Sequence, residues 1–169
     1  ENPLPAVMGR VCYHPCETAC NRAQLDAAVG INSVERFLGD AAIRQGWQFA
    51  KPAAESGKRV LVVGAGPSGL SAAYQLRRLG HEVEIFEAGP IAGGMMRFGI
   101  PKYRLPREVL EAEIRRIVEL GIELELGSRV TNVLEAMQGG GFDAVFLAVG
   151  AHIAKRAYIP AGSAARMLD

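Results

Sequence analysis

The sequence predicts an α/β chain: a doubly wound parallel sheet preceded by a small all-α segment. Three observations predict it. Lys58-Arg-Val-Leu-Val-Val63 is a short, valine-rich apolar run of the kind that forms a strand buried on both faces of a parallel sheet. The run breaks into three spaced glycines, Gly64, Gly66 and Gly69, followed by a helical pattern and a second strand that ends in an acid, Glu87. Upstream lies a separate stretch with helical patterning, in which three cysteines crowd between Cys12 and Cys20.

Composition bounds the reading. A chain of 169 residues is long enough for one ordinary domain and a small appendage. With a formal charge of +1, there is no charge excess to suit nucleic acid or a membrane surface, so neither is predicted as a partner, and the scattered Lys and Arg are assigned to a solvated face. Apolar runs are strand-sized and nothing resembles a secretory signal, which makes a cytoplasmic location the default expectation. An odd number of cysteines without such a signal argues against a disulfide framework.

Residues 1 to 9, with two prolines and a glycine, predict an extended lead-in. Cys12, Cys16 and Cys20 follow, each separated by three residues. Pro15 disfavours a helix through Cys12 to His14, so a turn should enter a helix near Cys16. Gathered soft thiolates suit an iron–sulfur cluster or zinc, while the plainer alternative is three small buried residues. Three ligands leave a four-coordinate site one short. His14 is the neighbouring nitrogen donor, but an isolated histidine beside a proline reads first as a surface residue. Asn32 to Trp47 predicts a helix capped by Asn32 or Ser33 and closed by Gly46, with Val34, Phe37, Leu38 and Ala41 as its apolar stripe. Glu35 falls in its first turn, and Trp47 is predicted to anchor packing. Residues 1–47 thus form one segment, 48–57 a linker, and 58–169 the sheet-forming domain.

At the glycine turn each position has a task. Gly64 permits a tight exit from the strand, Gly66 lets backbone approach a pyrophosphate, and Gly69 lets the next helix pack against the sheet. Pro67 to Leu79 is that helix, with Leu70, Ala73, Leu76 and Leu79 at helical spacing and Gly80 as a stop. Its free N–H groups face any phosphate at the turn. The strand from His81 to Phe86 then delivers Glu87, placed to accept hydrogen bonds from a ribose. Strand, turn, helix and acid together make a dinucleotide fingerprint.

Ala88 to Pro106 is glycine-rich, too irregular for helix or strand and too apolar for a disordered linker, which predicts a structured functional loop beside the dinucleotide. Arg107 to Leu120 resumes a helix with Val109, Leu110, Ile114, Ile117 and Val118 inward, stopped by Gly121. Ile122 to Leu126 alternates as a strand. Val133 to Met137 predicts one or two helical turns broken by Gly139 to Gly141, and Asp143 to Gly150 another buried strand. Ala161 to Asp169 predicts the start of a further element, as though the sequence were a piece of a longer one.

On these motifs the chain resembles the glutamate synthase small (β) subunit-like NADPH-dependent FAD and iron–sulfur oxidoreductases, a group that includes the N-terminal part of dihydropyrimidine dehydrogenase and the large subunit of the electron-bifurcating ferredoxin–NADP oxidoreductases. The likeness rests on Asn2-Pro-Leu-Pro5, Gly9-Arg-Val-Cys12 with Pro15-Cys16-Glu17 and Cys20, Glu35-Arg-Phe37, Val63 to Leu70, Gly93-Gly94, and Gly99-Ile-Pro-Lys-Tyr-Arg-Leu-Pro106. The resemblance implies a Rossmann-like FAD site at Gly64, Gly66, Pro67, Ser68, Gly69 and Glu87. It places the loop bearing Gly94, Met95, Arg97, Gly99, Arg104 and Leu105 along the flavin and pyrophosphate, Val130 by the adenine, and Ala148 to Gly150 at the second glycine-ended strand. It further implies a helical ferredoxin-like segment holding [4Fe–4S] clusters, with Cys12, Cys16, Cys20 and Glu35 among the ligands. An upstream cysteine motif of the group and its NADPH-binding domain are absent from this sequence, so both the cluster ligand set and the nicotinamide site are incomplete.

The expected function is that of a part of an NAD(P)H-dependent flavin and iron–sulfur oxidoreductase, passing electrons from NADPH through FAD to clusters and an electron-accepting catalytic subunit or domain. No general acid or base is assigned, and His81 and His152 are taken as structural. The alternatives are a disulfide-type flavoenzyme, disfavoured because no cysteine follows Cys20, and a non-catalytic FAD-binding or assembly module.

Overall fold

A computed structural model describes residues 2–52 and 54–151. The element expected from Ala161 and the side chain of His152 lie outside these residues.

Four parallel strands form one sheet in the order β3-β2-β1-β4, where β1 is Arg59–Val63, β2 Glu82–Glu87, β3 Glu123–Leu126 and β4 Ala144–Leu147. Helices α4 (Pro67–Arg78) and α6 (Arg107–Val118) make the first two crossovers. They share a core in which Leu70, Ala73 and Tyr74 from α4 and Leu110, Ile114 and Ile117 from α6 pack on Val62, Val83 and Ile85. Helix α7 (Val133–Gly140) makes the third crossover, and the opposite side chains of β1, Leu61 and Val63, form a second, smaller core with Phe142, Ala136 and Met137. β1 is therefore buried on both faces, as its apolar run predicts. Strand order reverses at β1, which puts a topological switch point beside its carboxyl end.

The segment before the sheet is helical: α1 (Pro5–Val11), α2 (Pro15–Thr18), a 3-10 turn at Asn21–Gln24 and α3 (Ile31–Arg44). The predicted extended lead-in is wrong from Pro5 onward. Proline at the first helical position lacks an N–H that would go unused there anyway, so Pro5 starts α1 rather than preventing it. The expected turn into a helix near Cys16 is present as α2.

Several local expectations fail for tertiary reasons. α3 begins one residue early with Gly30 as its cap and no side-chain cap, so Asn32 and Ser33 lie inside it. Its buried residues are Gly39, Ala41 and Ala42, while Val34, Phe37 and Leu38 of the expected stripe are exposed. The cause is close packing of α1: a Cβ on Gly39 would collide with the Ala6 backbone, so the helix turns its smallest residues to its neighbour. Trp47 is 47% exposed rather than an anchor. Leu79 lies outside α4 and is exposed. Gly139 and Gly140 continue α7, which ends at Gly141 with φ +66°. Among the described residues β4 is an edge strand with Phe146 and Leu147 exposed, not a buried one. The loop after β2 contains one helical turn, α5 (Met95–Phe98). The described residues of 48–57 have no regular structure but are well tied: Phe49 meets Tyr74 edge to face at 4.8 Å, Glu55 pairs with Arg77 at 2.6 Å, and Ser56 donates its N–H to the Gly80 carbonyl at 2.8 Å.

Candidate functional site

The glycine turn sits at the switch point and is built from contacts that a side chain would destroy. Gly64 has φ +108°, and a Cβ there would strike the Ala148 carbonyl. A Cβ on Gly69 would fall on the Gly64 carbonyl oxygen, far inside van der Waals contact. Gly94, φ +49°, comes so close that its Cβ would lie 2.8 Å from Gly66 Cα. By contrast a Cβ on Gly66 would meet nothing nearer than 3.9 Å, so the space in front of it is open. Gly64, Gly66, Gly69, Gly94 and Ala148 thus converge, and Ala148 donates its N–H to the Val63 carbonyl at 2.8 Å.

Gly66 is the N-cap of α4 and Pro67 its first residue, with no side chain capping the helix. Backbone N–H groups of the first turn, including those of Ser68 and Gly69, are left for an anion or water. Glu87 stands beside them. Its Oε2 accepts the Ala65 N–H at 2.7 Å and its Oε1 the Gly89 N–H at 2.8 Å. The loop is fastened to the same turn by the Gly93 N–H, which donates to Ala65 O at 2.8 Å. This combination fits an adenine dinucleotide: N–H groups for pyrophosphate, a carboxylate at the strand end, and a cradle that only glycine permits.

The remaining predicted residues divide. Met95 is exposed on α5, and Gly99 caps that turn. Arg104 is exposed and donates to Val11 O at 3.3 Å. Arg97 is committed elsewhere, Nε to Ala92 O and Nη2 to Glu111 Oε1, both at 2.5 Å. Leu105 is fully buried in the main core. Val130 packs on the smaller core with Val63 and lines a cleft of about 470 Å³ with Phe86, Ser128, Asn132, Glu135 and Phe142, tied to the end of β2 by the Ser128 N–H to Glu87 O bond of 2.9 Å. Gly150, φ +73°, is in open space beyond β4.

The cysteine segment supplies thiolate donors without assembling them. Cys16 is exposed, and Cys12 and Cys20 are partly so. Backbone N–H groups of Val29 and Arg22, and more weakly Ala23, lower the Cys20 thiol below its ordinary range by favouring the thiolate. The His14 N–H points at Cys12 Sγ at 3.3 Å. Glu35 Oε1 accepts from Asn2 Nδ2 at 2.5 Å. Among the described residues no three Cys, His, Asp or Glu side chains are grouped to hold a metal ion. The donor chemistry therefore fits a cluster, but its ligand geometry is not formed by these residues alone.

Sequence reasoning missed Glu113 and Arg116 on α6, both buried, and Arg107, which donates to the carbonyls of Met96, Ile100 and Leu105 and so holds the loop in shape. The signal for Glu113 was available: it shares the helical face of Leu110, Ile114 and Ile117. The solvated face assigned to Lys and Arg is likewise only partly so, since the Arg10, Arg77 and Arg97 side chains are 10–13% exposed and each is paired with a carboxylate.

Comparison with known proteins finds two family models along the chain. Residues 1–47 match the family model of the dihydropyrimidine dehydrogenase domain II, 4Fe-4S cluster, and residues 62–131 match that of the NAD(P)-binding Rossmann-like domain. The chain is 42% identical to the NADP(+)-dependent formate dehydrogenase subunit beta of Moorella thermoacetica, covering 90% of this chain and 25% of that protein. It is 39% identical to the glutamate synthase [NADPH] small chain of Bacillus subtilis, covering 89% and 31%, and 38% identical to the NAD-dependent dihydropyrimidine dehydrogenase subunit PreT of Salmonella typhimurium, covering 88% and 37%. Among solved structures, 2-naphthoyl-CoA reductase in complex with 2-naphthoyl-CoA matches with a TM-score of 0.55 and 28% identity over 82% of this chain and 21% of that one. The resemblance drawn from the motifs is borne out. The chain spans between 25% and 37% of the length of these curated relatives. Among the described residues no helix is long and apolar enough to cross a membrane.

Proposed function

We propose that this chain is the FAD-holding and cluster-bearing part of an NAD(P)H-dependent oxidoreductase, in which electrons pass from NADPH through FAD to [4Fe–4S] clusters and on to a catalytic partner subunit or domain. The observation that carries the reading is the site at the switch point: an uncapped helix start, an open Gly66, and Glu87 on the Ala65 N–H, all in the same chain as three thiols with helical surroundings. When bound, FAD would supply the chemistry of accepting two electrons together and releasing them singly. The protein's part is to hold the pyrophosphate on the first-turn N–H groups of α4, to orient the ribose through Glu87, and to present the Gly94 to Leu105 loop along the ring system. Cys12, Cys16 and Cys20, with Glu35 as a further oxygen donor, are assigned as cluster ligands, the set being completed by residues beyond those described.

One fingerprint holds one dinucleotide, and hydride transfer needs a second nucleotide held against the first, an orientation worth many powers of ten in rate. The 169-residue chain therefore binds FAD without oxidising NADPH by itself. In this respect it is a cofactor-binding module of a larger enzyme. The test is titration with FAD by calorimetry, followed by stopped-flow mixing of the loaded chain with NADPH. Binding with no flavin bleaching is expected. No FAD binding would defeat the cofactor assignment, and rapid bleaching would reveal a nicotinamide site within this chain.

A further inference from the structure

The two parts of the chain are joined by a carboxylate. Glu113 of α6 is fully buried, its Oε1 accepting the Ala6 N–H at 2.7 Å and its Oε2 the Val7 N–H at 2.9 Å. Those amides belong to α1, more than a hundred residues away in sequence. At the other end of α1 the last carbonyl, Val11 O, accepts from Arg104 Nη2 at 3.3 Å, and Cys12 follows at once as the C-cap. Across from α6, Gly9 and Gly39 bring α1 and α3 into backbone contact, so the helix has no lateral freedom of its own. Leu4 and Val7 are part of the same core as α4 and α6. The position of Cys12 relative to the glycine turn is thus set through α1, and α1 is held by side chains from the sheet-forming part.

We propose that Glu113 is a positioning residue that fixes the cysteine-bearing segment on the nucleotide-binding sheet, and that its charge state sets how firmly the two are held. Its significance for electron transfer rests on the proposed function; the docking itself does not.

The surroundings of the carboxylate give the direction. Arg116 of its own helix, its guanidinium over the Phe49 ring at 4.4 Å, and Arg10 of α1, paired with Asp40, are the cations whose charge reaches it. Asp40 of α3 is turned to Arg10 at 2.8 Å and Arg36 lies on Asp40 at 3.9 Å, while on α4 Arg77 is turned to Glu55, and beside α6 Arg97 of α5 is turned to Glu111. Burial opposes the charge, and outweighs the Ala6 and Val7 N–H groups and the two guanidinium groups that favour it, raising the acid from 4.5 to about 7. Lifting α1 away would rehydrate the group and return it to the ordinary carboxyl range. The neutral acid therefore favours the docked form and the anion favours release, so docking weakens as pH rises toward neutrality.

The experiment is amide hydrogen exchange of the 169-residue chain, resolved by NMR and corrected for the intrinsic base-catalysed rate. Protection of the α1 amides is expected to fall about tenfold between about pH 6 and about pH 8, with the β1 amides unaffected. Glu113→Gln should make the α1 profile independent of pH over that range. A flat wild-type profile, or an unchanged pH dependence in Glu113→Gln, would overturn the proposal. Should the variant fail to fold, the wild-type amide shifts of Ala6 and Val7 decide: a common titration midpoint near neutrality supports it, and no titration refutes it. Exchange that behaves as expected in a cofactor-loaded full-length parent whose reduced flavin passes no electrons to iron would leave the docking standing and defeat the electron-transfer reading instead.

Discussion

Glu87 and Ala65 are tied together across the mouth of the glycine turn, the carboxylate Oε2 accepting the backbone N–H at 2.7 Å. The strand-end acid, which sequence alone offers as a ribose ligand, is thereby also a brace for the turn. A carboxylate has about four acceptor positions, and Ala65 and Gly89 occupy two of them, leaving two for ribose hydroxyls.

Glu87→Ala should weaken FAD binding by about 1.5–3 kcal/mol, the loss of charge-assisted hydrogen bonds. Calorimetric titration measures it. Glu87→Gln keeps one acceptor oxygen and should fall between the wild type and Ala. An unchanged affinity in Glu87→Ala would remove Glu87 from the ribose site.

Glycines of the chain should respond to alanine in opposite directions. Gly69→Ala drives a methyl onto the Gly64 carbonyl and should cost about 1–3 kcal/mol or more of stability, with loss of dinucleotide binding as α4 is pushed from the sheet. Gly139 lies inside α7 with nothing within 4 Å of its notional Cβ, so Gly139→Ala should stabilise by up to about 1 kcal/mol through helix propensity. Urea unfolding of the two variants checks both signs at once.

The pH dependence of stability should carry the mark of Glu113. Its acid is raised in the fold from 4.5 to about 7, so the contribution is fully present below the unfolded value and is lost as pH rises through the folded one. From about pH 5 to about pH 8 the loss is of the order of 2 kcal/mol. Subtracting the Glu113→Gln profile from that of the wild type, both by urea unfolding, isolates this from Glu84, which burial also raises. A difference profile that rises with pH would contradict the sign.

Anaerobic reconstitution with iron and sulfide tests the cysteine segment. Replacing Cys12, Cys16 and Cys20 together by Ser should abolish cluster content in the parent protein, measured by iron counting. Glu35→Ala should alter the electron paramagnetic resonance spectrum if its carboxylate moves from Asn2 to iron on assembly, and leave it unchanged if the Asn2 bond is its whole role.

The strand, glycine turn, helix and acid from Lys58 to Glu87 were determined by sequence because each is specified within a few residues: a β-branched run, a turn that excludes Cβ, a proline at the first helical position, a glycine stop. The three thiols of the N-terminal segment were legible in the same way. What only the tertiary structure decided depends on partners far along the chain. Pro5 starts a helix because α3 and α6 receive it; Val34, Phe37 and Leu38 face outward because Gly39 must meet Ala6; among the described residues β4 is paired on one side only and its Phe146 and Leu147 are left uncovered. Glu113 is the sharpest case, since a glutamate at an apolar helical phase says nothing of its purpose until two amides more than a hundred residues away arrive to be bound. Burial of a polar group is tolerated where its hydrogen bonds are satisfied, and that satisfaction is a property of the assembled fold rather than of any local stretch.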